Sequence, residues 1–185
     1  MKVLKVFIIT GIIGVVVVLF AVGIIILNIK KSAKGFKMYG ELKEFRYRPG
    51  YSDMDGGYHS DVLYKGDDGK WIIESRNKSS MSDPTVVTKY VVGYDSEIEF
   101  EAYLKSSDIP SLENRKDSDL FVTDYTPWHY TIVFELQTDK GIEIQEFDLD
   151  EYKEYSDKDY SLIKSMKTQF DMLKSNKISE ETEED

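Results

Sequence analysis

Residues 6–27 form a run of 22 residues without a charge, in which Thr10 is the one polar side chain and seventeen are Val, Ile, Leu or Phe. As a helix the run reaches about 33 Å, enough for a bilayer hydrocarbon core of roughly 30 Å. In water so many β-branched residues make a poor helix. In lipid the backbone has no other hydrogen-bond partner, so helix is imposed. The run predicts a single transmembrane helix over residues 6–28, behind a basic head at 1–5 and before a basic juxtamembrane segment at 29–37. Lys2, Lys5 and the small-x-small triplet Ala21-Val22-Gly23 also suit a cleaved signal peptide. Signal peptides, however, have apolar regions of about 7–15 residues, and this run continues to Leu27 before it meets Lys30 and Lys31. An uncleaved signal anchor is the expectation. Lys30, Lys31, Lys34 and Lys37 are then the membrane-surface contacts, each contributing about 1 kcal/mol near anionic headgroups.

The charge is divided sharply. Residues 1–37 hold six Lys and no acidic side chain, whereas the other 148 residues hold 18 basic and 34 acidic ones. An acidic body argues against nucleic acid as a partner, because phosphate contacts need clustered Lys and Arg. There is no cysteine, so a disulfide scaffold, a thiolate metal site and a lipid-modified cysteine are all excluded. The body has room for one domain of ordinary size. It carries 13 Tyr in the whole chain's count, rings that supply apolar area while the hydroxyl stays wet.

That body, residues 38–176, reads mainly as strands. Phe45-Arg46-Tyr47-Arg48 alternates apolar with charged, as a half-buried strand does. Gly66-Asp67-Asp68-Gly69 marks a hairpin turn between two apolar runs. From Tyr130 the chain alternates cleanly through Ile132, Phe134 and Leu136, and Asp139-Lys140-Gly141 then turns it back. Residues 96–105 fit both periods; Ser96-x-x-Glu99 resembles a capping box and tips the reading to helix. After Ser156 and Asp157, Ile163, Met166, Phe170 and Leu173 recur at helical spacing and make one apolar face. Residues 177–185, rich in carboxylates, read as a disordered acidic tail. The expected fold class is α+β: an antiparallel sheet of five or six strands with the C-terminal helix packed on one face.

Chemistry is harder to read. Asp53, Asp55 and Asp61 around a Gly-rich loop are the only metal candidates, since calcium takes six to eight oxygens and close Asp residues supply several. The EF-hand pattern nevertheless fails: Tyr58 stands at the glycine position and Tyr64 at the bidentate Glu position. Gly66 to Lys70 is two residues short of a phosphate loop. His59 and His129 lie far apart, and neither H-E-x-x-H nor G-x-S-x-G occurs. Trp71, Trp128 and the tyrosines are candidates for a stacking platform for sugars or a peptide, but core or half-buried sheet positions suit most of them better. No catalytic residue and no cofactor is implied.

The functional expectation is a non-enzymatic binding or structural module, monomeric and tethered to a lipid bilayer. Its partner is another envelope protein or a cell-wall glycan. The alternative is an extracytoplasmic hydrolase, or a calcium-dependent binder using the 53–61 loop. Topology draws two opposed arguments. The lysines after the span favour a cytoplasmic body under the charge rule, whereas the short basic head and the length of the body favour export. The expectation is an extracytoplasmic domain on a single-pass anchor.

Overall fold

A computed structural model describes residues 39–52, 56–119 and 125–183. The chain divides into two compact units, Met1–Phe36 and Lys37–Asp185, and the described residues belong to the second. The expected basic head, membrane span and lysine flank (Lys30, Lys31, Lys34, Lys37) lie outside the described residues, as do Asp53 and Asp55. Among the described residues no helix is long and apolar enough to cross a membrane.

Strand β1 (Glu41–Arg48) forms as its alternation predicts, with Phe45 fully buried and Arg46 and Arg48 exposed. A register shift between Leu42 and Glu44 lets both Leu42 and Phe45 face the core, although they are three residues apart. Gly40, just before it, has φ +84°, and a Cβ there would lie 2.1 Å from the Glu135 carbonyl oxygen. Only glycine suits that entrance.

After the short β2 (Tyr51–Ser52) come β3 (Tyr58–Lys65), β4 (Trp71–Lys78) and β5 (Thr85–Val92), a meander. The expected Gly66–Gly69 turn joins β3 to β4, with Gly69 at φ +80° and its N–H donating to the Gly66 carbonyl at 2.9 Å. Later β6 (Tyr125–Thr126) pairs with β2, and β7 (His129–Thr138) turns at Asp139 and Lys140 into β8 (Gly141–Asp150). The last strand is β9 (Asn176–Glu183). The main sheet has seven strands in the order β8-β7-β1-β3-β4-β5-β9, every pair antiparallel. The α+β expectation therefore holds, with more strands than the five or six foreseen.

The added strand is the segment expected to be a disordered tail. Its carboxylates describe its side chains, but a ladder is made by backbone groups, which composition does not reveal. Strand β9 lies along β5, with Glu180 accepting from Thr88 at 3.4 Å and Glu183 accepting from Arg76 at 3.0 Å.

Two helices cover one face of the sheet. Helix α1 (Tyr94–Ser106) confirms the helical reading of 96–105, but it starts at a Gly93 cap that carries no side-chain bond. The Ser96 capping box does not form because the helix begins ahead of it. Glu97, Phe100 and Leu104 make the buried stripe, while Ile98 is exposed. A short 3₁₀ turn (Ile109–Asn114) follows α1, and after β8 comes α2 (Asp157–Met172), whose Ser156 cap forms a true capping box with Asp159. Such a cap contributes about 1 kcal/mol. Arg115 extends it, donating to both Asp159 oxygens at 3.0 and 2.7 Å. These bonds from Arg115, joined by those from Ser156, outweigh desolvation and hold the Asp159 carboxyl down at about 2. The expected apolar face of α2 is buried, and its Phe170 packs on Phe45 with ring centroids 4.6 Å apart.

Candidate functional site

Strand alternation sends Phe45, Tyr47, Leu63, Tyr130 and Ile132 toward the helices. It sends Arg46, Arg48, Ser60, Val62, His129 and Thr131 to the opposite face. Among the described residues no helix covers that second face where β7, β1 and β3 lie side by side. The register sets Arg46 between Val62 and Thr131, and Arg48 beside His129. Together with Tyr58 and Ser60 these residues line an open groove of about 510 Å³.

Among the described residues, none of those that line it is acidic, in a body where acidic side chains outnumber basic ones nearly two to one. Acids stand just outside and orient the donors. Arg46 donates from Nη2 to Glu44 Oε1 at 2.8 Å. Asp148, across on β8, lies 3.2 Å from His129 Nε2 and accepts from the Thr131 hydroxyl at 2.9 Å. The Tyr58 hydroxyl shares a hydrogen bond with Thr85 at 3.3 Å, which fixes the ring across the sheet. Arg48 lines the groove and forms no ion pair among the described residues, and its planar fork of donors has the geometry that takes a carboxylate or phosphate oxyanion.

Of the three metal candidates, only Asp61 lies among the described residues. It points to the helix side and is fully buried. Ser75 donates to it at 2.6 Å, Lys174 at 2.7 Å, and His59 Nε2 lies 3.1 Å away. Burial alone would raise this carboxyl; the bonds from His59, Lys174 and Ser75 outweigh that and hold it down at about 2. Asp61 is thus an anchor that ties β3 to β4 and to the end of α2. Among the described residues no group of three or more His, Asp or Glu is arranged to hold a metal ion.

His59 serves that anchor, whereas His129 stands at the groove, where its place at the head of a strand gave no sign of a ligand. The two tryptophans are packed rather than displayed as a platform: Trp71 is in the core, and Trp128 stacks on Tyr155 at 5.8 Å. Arg46 and Arg48 were legible only as the polar half of a strand. Their clustering with His129 depends on the pairing of β1 with β7, which no local pattern announces.

In comparisons with known proteins, no family model matches the chain, and no curated protein or solved structure matches it.

Proposed function

We propose that this chain is a single-pass, membrane-anchored protein whose acidic, Tyr-rich domain is a non-enzymatic binding module on the extracytoplasmic side. The occupant of its open face is an anionic glycan chain of the cell surface, bearing carboxylate or phosphate groups. The observation that carries this reading is the groove of Arg46, Arg48, His129, Tyr58, Ser60 and Thr131, which holds no acid among the described residues. Guanidinium groups recognise carboxylate and phosphate oxygens in bidentate fashion, and the hydroxyls suit the neutral parts of a sugar chain. The surrounding negative field repels anions that do not reach the groove, which favours selectivity over raw affinity. The anchor rests on the uncharged run at 6–27 and on Lys30, Lys31, Lys34 and Lys37.

The test is a titration of the detergent-solubilised full chain with a polyanionic glycan and with a neutral glycan of equal length. The wild type is expected to bind the anionic chain only. The Arg46→Ala/Arg48→Ala double variant should bind at least tenfold more weakly, since each charge-assisted contact is worth about 1.5–3 kcal/mol. Equal affinity of the variant would remove the groove from the function. The location is checked separately. Protease added to intact cells (protoplasts where a wall is present) is expected to digest the domain. Protection until lysis would place it on the other side.

A further inference from the structure

The main sheet has two outer edges, and they differ. At one, β9 carries Glu180, Glu181 and Glu183. At the other lies β8, ten residues long and without proline. Among the described residues β8 pairs with β7 alone. Alternate residues of such a strand turn their N–H and C=O groups away from the ladder. The outer margin of β8 is therefore a row of unpaired backbone donors and acceptors. Natural sheets blunt such a margin with lysine, proline, a bulge or a very short strand. Strand β8 uses none of these. It holds no lysine, and its register with β7 runs unbroken from Gly141 to Asp150. Its charges are all negative: Glu143, Glu146, Asp148 and Asp150.

The side chains of β8 sort by face. Phe147 and Leu149 are buried under the helices, whereas Asp148 stands on the open face beside Thr131 and His129. By alternation Ile142, Ile144 and Glu146 share that open face. Ile142 is 59 % exposed and Ile144 54 %. Among the described residues no other strand bares two large apolar side chains on one face. Val133 of β7 lies diagonally behind Ile144, since its direct partner is Glu146. Acids that only keep copies apart do not account for two bare isoleucines at a margin. The acids beyond them are unevenly used. Asp148 is engaged by His129 and Thr131, while Glu146 forms no ion pair among the described residues.

We infer that the β8 edge is a docking site for an extended, basic segment of a partner protein, which joins the sheet as an additional strand. The backbone of the added strand takes up the unpaired groups of β8 and supplies affinity, and its alternate side chains supply specificity. On the open face, an antiparallel partner sets Lys or Arg against Asp148 and Glu146, then apolar residues against Ile144 and Ile142. The recognised pattern is basic-x-basic-x-apolar-x-apolar. A second copy of β8 fits poorly, because it brings acids to a margin that is already acidic. The site is distinct from the anion groove, where Arg46 and Arg48 select the opposite charge.

The experiment follows the fluorescence anisotropy of a short labelled peptide, in which Thr alternates with Lys, Lys, Val and Val, as the detergent-solubilised full chain is added. Saturable binding is expected. Two further peptides carry backbone N-methyl groups on alternate residues, one on the odd set and one on the even set. Only one set of N–H groups faces β8. One of these peptides should therefore bind about tenfold or more weakly, and the other like the parent. Ile142→Thr/Ile144→Thr should weaken binding about fivefold or more with an unchanged melting temperature, because both side chains are exposed. Glu146→Lys should weaken it by about twofold to fivefold, and a peptide with Glu in place of Lys should restore it. Absence of saturation, equal binding of the two N-methylated peptides, or a Glu146→Lys protein that still prefers the Lys peptide overturns the inference. So does a free chain that sediments as a dimer and becomes monomeric in the isoleucine variant, an outcome that gives the edge to a second copy. If the isoleucine variant does not fold, the pair of N-methylated peptides decides alone.

Discussion

Asp61→Ala is expected to lower the free energy of unfolding by about 3–5 kcal/mol, the range for breaking a buried charge-assisted network by removing one member. The substitution leaves the Lys174 ammonium, the Ser75 hydroxyl and the His59 imidazole facing a small void where a carboxylate had accepted from them. It also releases the end of α2 from the centre of the sheet, because Lys174 follows that helix. Asp61→Asn keeps the Ser75 bond and loses the charge, so its effect should be smaller. The acid dependence carries a sign. The folded-state value near 2 lies below the ordinary 3.8, so the stabilisation is fully present above the ordinary value and disappears as pH falls toward 2. The difference amounts to about 2 kcal/mol. Urea unfolding at pH 7 and at steps down to pH 2 measures both effects. A loss below 1 kcal/mol at pH 7, or a variant as acid-sensitive as the wild type over that window, contradicts the assignment.

Phe45→Ala is the second large effect, and its origin is packing alone. Phe45 lies on the inner strand β1 under both helices, with ring centroids 4.6 Å from Phe170, 5.1 Å from Phe100 and 5.8 Å from Tyr130. Removing the ring forfeits its transfer energy and leaves a cavity walled by three other rings, which cannot all collapse inward. The expected cost is about 3–5 kcal/mol, read as a lower urea midpoint with an unchanged slope. Ile98→Ala is the control: this side chain is 44 % exposed on α1, and its loss should fall within about 0.5 kcal/mol. A Phe45 variant as stable as the Ile98 variant would show that the helices do not pack on β1 as described.

What the sequence made legible was local. Both hairpins, the alternation from Tyr130 and the apolar face of α2 were announced by turn residues and by period, properties contained in short stretches of neighbouring positions. What escaped depended on pairing at a distance. Strand β9 was hidden because Glu-rich composition signals solvation, while its backbone was recruited by an edge laid down far earlier in the chain. The start of α1 was misplaced because a backbone cap at Gly93 leaves no side-chain signature. The groove needed the register of β1 with β3 and β7 before Arg46, Arg48 and His129 became neighbours. Asp61 drew attention from sequence as one of several clustered acids. The clue to its role was its alternation with Leu63, which places a carboxylate on the inward side of a strand.

The pairing of β9 with β5 has a further consequence. The sequence of β5, TVVTKYVV, is β-branched, nearly uncharged and free of proline, the composition of segments that self-associate as stacked strands. In the folded protein its outer edge is occupied by a strand carrying Glu180, Glu181 and Glu183, so the rim presented to other molecules repels a second copy of itself. Strand β9 is thus a guard as well as a member of the sheet. Its detachment would expose that edge as a template, so trimming of this segment is expected to promote edge-to-edge association of the domain, read as a rise in light scattering.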